Sequence, residues 1–427
     1  MTVGLDASPE IDPPSFDEPC PPTPGVASLV RAPRASPSAH TSGESATATE
    51  HGSTRASLAC CPVKSLARML ADENTTSDIV TLLVELDPLP LRALLSLETS
   101  DVVIERETPA GGRRRLDLVV RRSRDRHPLA VVEVKCASDL HGDQLEEYDA
   151  WVDSQQPVPS RWYWTVDGEH AREAWQPMRL ADVFQGWTSS SDPHAAWLAR
   201  EASSLLTAWD AEADGVIGDA QGHYVPDIVA RRAAREIHAQ LAALGDESEA
   251  QAFRTNAGQP MVMAWRHDPR AEAGVWLGVD IRSQCRGDPR RPWLFRPCID
   301  VVESDLSATE ARLRAHDHAV ALLDHLSGSA LTSWLSAAGR EDLAGLLTPS
   351  DADGFRHRPD RHVLEAWRAQ LEAGSPPGRH HPVFFHDRGT RLATQFTVDV
   401  TRASRQDLQD LCLLVLEHLV TADLQRA

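Results

Sequence analysis

Three short apolar runs that lie close together in the chain constrain its fold more than any other feature. They occupy residues 102–107, 116–120 and 129–134, and a Gly-Gly turn and an arginine-rich turn separate them. Each has the length and composition of a β-strand. A helical pattern opens near residue 142, so the segment predicts a three-stranded meander that feeds a helix. With a further strand at residues 161–166 and helices on either side, the chain is expected to form an α/β core.

Charged residues interrupt two of these strands. Asp117 lies on the second strand, and Glu133 and Lys135 lie on the third. Because side chains alternate along a strand, Glu133 and Lys135 share one face while Val132 and Val134 point to the other. Two carboxylates can bind a hard cation, and an ammonium can orient a water and offset charge on a phosphate. These residue types are the ones that metal-dependent phosphodiester cleavage needs.

The third strand is apolar enough to be covered on both faces, since four apolar residues precede Glu133. An unpaired charge in such a strand would be costly. The chain has 43 Lys+Arg residues, and only Lys64 and Lys135 among them are lysines. Lysine carries a compact charge whose pKa responds to burial, whereas the guanidinium of arginine is a planar fork. A lysine at this position therefore favours a specific chemical role over a structural charge cluster, which is the alternative.

These residues resemble the motif of the PD-(D/E)XK nuclease superfamily. Leu116-Asp117 followed by Glu133-Val134-Lys135 matches its acid, spacer and E-x-K pattern, although Leu116 stands where proline is usual. The resemblance extends to Gln144 and Tyr148, which match the Q-x-x-x-Y signature of RecB-like branches. It covers residues 77–187, and it implies a mixed sheet flanked by helices.

The resemblance also implies a set of site residues and a cofactor. Related sequences carry a further acid before the aspartate, for which Glu107 is the best match and Glu105 the other candidate. Mg²⁺, or Mn²⁺, would bind to Glu107, Asp117 and Glu133. The implied catalytic residues are Asp117, Glu133, Lys135, Gln144 and Tyr148.

The implied activity is hydrolysis of phosphodiester bonds in nucleic acid, with DNA favoured, in restriction, repair or defence. The choice between DNA and RNA, single and double strands, and ends and interior stays open, as does the oligomeric state. The alternative is a catalytically silent module of the same fold that binds nucleic acid or another protein. Intact acid, acid and lysine positions favour the enzyme.

Charge is distributed unevenly along the chain. The net charge is −20, yet residues 105–135 contain nine basic and five acidic residues. A phosphate backbone would approach such basic turns beside a carboxylate site, although solvated arginines are the alternative. The overall negative charge argues against a protein that coats nucleic acid nonspecifically.

The rest of the chain predicts three regions. Residues 1–60 contain nine prolines before position 41, lack apolar residues to bury and are expected to form a disordered tail. Residues 61–190 are the nuclease-like domain, and residues 191–427 are an α+β region of unknown role. No signal peptide and no apolar run of about 20 residues is present, so a cytoplasmic protein without membrane segments is expected.

The cysteines and the helical patterns give further expectations. Seven scattered cysteines form no C-x-x-C pair, which indicates reduced thiols, and Cys136 next to Lys135 is a candidate for redox sensitivity.

In the helical region before the first strand, Glu85 or Glu98 could contribute a carboxylate. Further helices are predicted at residues 62–86, 91–97, 195–211, 227–244, 307–326, 331–347, 359–371 and from 404. Further strands are predicted at residues 260–265, 275–281, 293–302, 382–386 and 392–400.

Overall fold

The computed structural model describes most of the chain after residue 61. The described residues are 62–111, 114–136, 144–245, 247–255, 257–271, 274–285, 288–302, 306–326, 329–349, 361–374, 385–386 and 392–422. They belong to one compact unit that extends from Ala59 to Ala427. The tail expected for residues 1–60 lies outside the described residues. Within the described part, every helix is too short or too polar to cross a membrane.

Helices and strands alternate through the described chain. The helices are α1 (Pro62–Leu70), α2 (Glu73–Leu86), α3 (Leu89–Leu94), α4 (Gln144–Asp153), α5 (Leu180–Gln185), α6 (Pro193–Glu212), α7 (Val225–Ala243), α8 (Ala308–Ala321), α9 (Leu323–Leu326), α10 (Ala330–Ala337), α11 (Glu341–Ala344), α12 (Arg361–Glu372) and α13 (Arg405–Thr421). The strands are β1 (Val102–Gly111), β2 (Arg114–Arg122), β3 (Pro128–Lys135), β4 (Ser160–Thr165), β5 (Gln176–Arg179), β6 (Ser248–Arg254), β7 (Pro260–His267), β8 (Val275–Arg282), β9 (Trp293–Val301), β10 (Leu347–Pro349), β11 (Phe385–His386), β12 (Leu392–Ala393) and β13 (Phe396–Val398).

The first sheet has the strand order β1-β2-β3-β4-β5. Its first three strands form the predicted antiparallel meander, and β4 and β5 continue it in parallel. Parallel neighbours need a crossover connection, and α4 lies in the connection between β3 and β4. The mixed sheet flanked by helices is therefore confirmed.

The two faces of this sheet pack against different layers. One face joins the main apolar core through Leu118, Val120, Ala130, Val132 and Val134. The other face forms a smaller apolar cluster with α4, made of Leu116, Val119, Val131, Leu145, Tyr148, Val152, Tyr163 and Trp175. Glu133 and Lys135 alternate with Val132 and Val134 and so share one face of β3, as the sequence predicts; it is the face of Val131, which α4 covers.

Local signals decide where the N-terminal helices begin and end. The single helix expected over residues 62–86 is divided into α1 and α2, because the Asp72 side chain accepts a hydrogen bond from the N–H of Thr75 at 2.8 Å and starts a new helix. The helix ends at Leu86, as Pro88 predicts.

The second sheet has the strand order β10-β13-β9-β8-β7-β6, with β11 and β12 beside β9. α7 and α13 cover the face that carries Val262, Leu277 and Ile299. β5 and β6 were not expected from the sequence, since β5 is short and β6 is a polar edge strand. Ser307 and Glu310 form a capping box at the start of α8, the helix predicted from residue 307.

Buried apolar residues from both sheets form one continuous cluster, which contains Leu83 and Val132 from the first part and Leu277 and Leu411 from the second. The helices α6 and α7 lie between the two sheets in the chain and bury their apolar faces in the same cluster. The domain boundary that the sequence places near residue 190 stays a prediction.

Candidate active site at the end of the third strand

The site begins where two strands of the meander separate. β2 and β3 pair as far as Leu118 and Val132, and beyond this pair the backbone ladder stops. At this point the Asp117 carboxylate replaces the backbone acceptor, since its Oδ2 accepts a hydrogen bond from the backbone N–H of Val134 at 2.8 Å. The opening thus holds an acidic side chain where a regular sheet would have a backbone carbonyl.

Glu133 is fully buried at this opening. Its Oε1 lies 2.7 Å from the ammonium of Lys135 and accepts a hydrogen bond from the Gln144 amide at 2.6 Å. Its Oε2 is buried and has no hydrogen-bond partner in the described part of the chain. A buried carboxylate oxygen without a donor is costly, so a further electropositive partner at this oxygen would stabilise the site. We call Asp117, Glu133 and Lys135 the acid–lysine site.

A helix that precedes the meander contributes a third carboxylate. Glu73, in the first turn of α2, lies 3.4 Å from the Lys135 ammonium and accepts a hydrogen bond from the N–H of Cys136 at 3.3 Å. The sequence offers Glu85 or Glu98 as a further site carboxylate, but both side chains are exposed. The signal for Glu73 was the Asp72 cap, which places the following acid at the helix N-terminus facing the sheet.

Burial and mutual charge decide the protonation of these groups. Burial raises the pKa of Asp117 to about 6, although Lys135 and the Val134 N–H oppose the rise. Burial and the charge of Asp117 raise the pKa of Glu133 well above its usual value. Burial disfavours the charge of Lys135, yet the surrounding carboxylates, Glu133 first, outweigh it and raise its pKa. Three acids thus surround one ammonium, and burial favours the protonated forms of Asp117 and Glu133.

Gln144 and Tyr148 are brought to the acid–lysine site by α4. The Gln144 amide donates to Glu133 and, at 2.9 Å, to the Tyr148 oxygen. The Tyr148 hydroxyl donates to the backbone carbonyl of Arg115. Tyr148 is 2% exposed, and burial raises its pKa, so it stays protonated. Gln144 contacts Glu133 directly and Tyr148 contacts Gln144, so together they can position Glu133.

The two candidates for the additional acid differ in their surroundings. Glu105 pairs with Arg121 and is engaged away from the acid–lysine site. Glu107 lies between two residues of β1 that pair with the neighbours of Asp117 on β2, and its φ of 52° is left-handed and unusual for a residue with a side chain. Strained backbone of this kind clusters at functional sites. Glu107 as a metal ligand stays a prediction.

The donor set decides whether Mg²⁺ fits. In the described part of the chain, no group of three His, Cys, Asp or Glu side chains is close enough to enclose a metal ion. Mg²⁺ however is usually bound through one or two carboxylates and keeps several waters. Asp117 and the unpartnered oxygen of Glu133 meet that requirement. The residues present therefore fit a partly hydrated magnesium ion.

Two expectations about neighbouring residues change with the structure. Burial argues against the expected redox sensitivity of Cys136, because it keeps solvent from the thiol and raises its pKa to about 12. Several arginines of the meander are paired with acids, among them Arg106 with Asp78 and Arg122 with Asp125. This pairing reduces the positive charge that the turns present to a phosphate backbone.

The chain matches no protein-family model, no curated protein and no solved structure. The likeness to PD-(D/E)XK nucleases stays a hypothesis, which rests on the residues of the acid–lysine site.

Proposed function

We propose that the protein is a metal-dependent nuclease of the PD-(D/E)XK type. The observation that carries the proposal is the convergence of Asp117, Glu133 and Lys135 where β2 and β3 separate, with a buried Glu133 oxygen that has no hydrogen-bond partner in the described chain. Buried titratable groups with strongly shifted pKa values are typical of catalytic sites.

Each residue has a distinct part in the proposed reaction. Asp117 and Glu133 would hold Mg²⁺ or Mn²⁺, which lowers the pKa of a bound water and neutralises charge on the phosphate. Lys135 stays charged between Glu133 and Glu73, so its ammonium can orient the attacking water and stabilise the developing negative charge. Gln144 holds Glu133 in place, and Tyr148 holds Gln144.

The substrate is nucleic acid, with DNA favoured, in restriction, repair or defence. The test is an incubation of the purified protein with labelled single- and double-stranded DNA and RNA in Mg²⁺, Mn²⁺ or EDTA. Cleavage that needs the divalent ion, disappears in Asp117→Asn and persists in Glu105→Gln supports the proposal. Absence of cleavage of every substrate by the wild-type protein contradicts it.

A specific observation favours a second candidate, a silent nucleic-acid-binding module of the same fold. Glu133 Oε1 is already satisfied by Lys135 and Gln144, and the described residues enclose no complete metal cage. Nucleic-acid binding without turnover in any divalent ion would favour this module over the enzyme.

A further inference from the structure

An arginine of α7 lies against the end of β3. Arg231 donates from Nη1 to the backbone carbonyl of Cys136 at 3.3 Å, and its Nη2 pairs with Glu169 in the turn between β4 and β5. The Arg231 side chain is 4% exposed. A guanidinium can bridge two acceptors in this way because its donors form a rigid planar fork. Arg231 thus links the residue that follows Lys135 to the turn after β4.

The backbone of Cys136 is held from two sides. Its N–H donates to Glu73 on α2 at 3.3 Å, and its carbonyl accepts from Arg231 on α7. The other carboxylate oxygen of Glu73 lies 3.4 Å from the Lys135 ammonium. α2 precedes the meander, and α7 lies beyond the boundary that the sequence places near residue 190. Both parts of the chain therefore meet at the residue after Lys135.

The turn after β4 is held by a residue beside Lys135. Thr165 is the partner of Lys135 in the parallel pairing of β3 and β4, and it is fully buried. Its hydroxyl oxygen accepts hydrogen bonds from the N–H groups of Gly168 at 2.8 Å and Glu169 at 3.0 Å. Thr165 therefore connects the position beside Lys135 to the acid that pairs with Arg231.

Further ion pairs hold α7 against the same turn. Asp167 pairs with Arg232 and Arg235, and Arg235 also pairs with Glu169. Burial disfavours the charge of Asp167, yet the arginines of α7, Arg235 first, outweigh it and lower its pKa to about 2. Both acids of the turn are thus ionised partners of α7, which fixes the helix where Arg231 reaches the end of β3.

We infer that Arg231 is a positioning residue of the acid–lysine site, through which α7 holds Lys135 in place. The inference rests on the proposed function and gives the region after residue 190 a part in the same reaction. Lys135 is the last residue of β3, and its ammonium has to stay between Glu133 and Glu73 to orient the attacking water. Arg231 fixes the backbone one residue further on, so it limits displacement of the ammonium. Residues 61–190, the nuclease-like domain that the sequence predicts, lack this contact.

The test replaces Arg231 with lysine in the full chain. Arg231→Lys keeps a positive charge beside Glu169 but loses the planar fork that also reaches Cys136. The matched control is Arg232→Lys, because Arg232 is the next residue of α7, is 10% exposed and pairs with three acids. A second variant, Glu169→Gln, leaves Arg231 unchanged and removes the charge that holds it. Melting temperatures report the stability of all three variants.

Lysine NMR gives a readout that does not depend on cleavage. Lys64 and Lys135 are the two lysines of the chain, so isotope-labelled lysine gives two side-chain signals, which Lys64→Arg assigns. In metal-free protein at one fixed pH, we expect the Lys135 signal to move in Arg231→Lys and in Glu169→Gln. It should keep its wild-type position in Arg232→Lys, and the Lys64 signal should stay in place throughout.

Cleavage gives the second readout. In single-turnover experiments at saturating Mg²⁺, we expect Arg231→Lys to be ~10-fold slower than the wild type, since a small displacement of a reacting group is costly. Its Mn²⁺ affinity should be unchanged, because Asp117 and Glu133 are intact. Arg232→Lys should cleave like the wild type. A Lys135 signal that keeps its position in both Arg231→Lys and Glu169→Gln, or that moves equally in Arg232→Lys, would overturn the inference.

The same measurements separate this inference from the proposed nuclease activity. If the Lys135 signal moves as expected while the wild type cleaves nothing in any divalent ion, the positioning of Lys135 by Arg231 stands and the nuclease proposal fails. If the wild type cleaves nucleic acid, and Arg231→Lys cleaves at the same rate with its Lys135 signal in place, the nuclease proposal stands and the positioning role fails.

Discussion

The ammonium of Lys135 lies 2.7 Å from the carboxylate of Glu133, which precedes it by two positions on the same face of β3. The Lys135 side chain is 5% exposed, and Glu133 is fully buried. Removing one partner of a buried ion pair leaves an uncompensated charge. Loss of either side chain would therefore destabilise the fold as well as change the site. Substitutions here must keep charge or shape to be informative.

Lys135→Arg keeps the charge and changes its shape. A guanidinium is larger and planar, and the ammonium it replaces is confined between Glu133 and Glu73. We expect the variant to fold and to bind metal, and to cleave at least ~10²-fold more slowly in single-turnover experiments at saturating Mg²⁺. The control is Arg161→Lys on the neighbouring β4, a paired side chain that is 15% exposed. Cleavage by Lys135→Arg at the wild-type rate would show that Lys135 is not catalytic.

Asp117→Asn and Glu133→Gln preserve volume and remove one negative charge each. We expect each change to weaken divalent-ion binding and to reduce cleavage at least ~10²-fold, because an oxygen ligand of a hard cation is lost. Calorimetric titration with Mn²⁺ and single-turnover rates measure the two effects. Glu105→Gln is the matched control, since Glu105 pairs with Arg121 on the same sheet. Wild-type metal affinity in both site variants would place the ion elsewhere.

The raised pKa of Asp117 predicts a pH dependence with a definite sign. Its pKa rises from 3.8 to about 6 in the folded protein, so the contribution of this group to stability is present below pH 3.8 and is lost as the pH rises through about 6. Metal-free wild-type protein should therefore lose Tm relative to Asp117→Asn between pH 4 and about 7. Metal-dependent cleavage should rise over the same interval, because cation binding needs the ionised carboxylate. Parallel Tm profiles of the two proteins would argue against a shifted Asp117.

Tyr148→Phe separates positioning from catalysis. The variant loses the hydrogen bond to the Arg115 carbonyl and the acceptor for the Gln144 amide. We expect a loss of about 1 kcal/mol in the free energy of unfolding and less than ~10-fold in cleavage rate. Urea unfolding and single-turnover cleavage provide the two readouts. A far larger loss of rate with unchanged stability would mean that the hydroxyl touches the substrate.

Glu73→Gln tests the carboxylate that the sequence did not reveal. The change keeps a hydrogen-bond acceptor for the Cys136 N–H but removes one of the charges that hold the Lys135 ammonium. Cleavage is expected to fall about 10-fold, with Mn²⁺ affinity nearly unchanged, because Glu73 acts on the substrate only through Lys135. Loss of metal affinity equal to that of Asp117→Asn would make Glu73 a ligand instead.

Local sequence patterns determined the strands and helices on which the site residues lie. Alternation along β3 predicted that Glu133 and Lys135 share a face, and Pro88 predicted the end of α2. These features depend on neighbours within a few residues, through strand periodicity and backbone sterics, and such information is present in any short stretch of the chain. The polar edge strand β6 lacks that apolar signal, which is why it was missed.

Only the tertiary structure decided which distant groups meet at the acid–lysine site. Glu73 and Lys135 are 62 positions apart, and Arg231 and Cys136 are 95 apart, so their contacts arise from the packing of α2 and α7 against the end of β3. Pairing of β1 with β2 likewise engaged Glu105 with Arg121. Contacts of this kind depend on the relative placement of whole elements, which the buried apolar faces fix cooperatively and no single motif encodes.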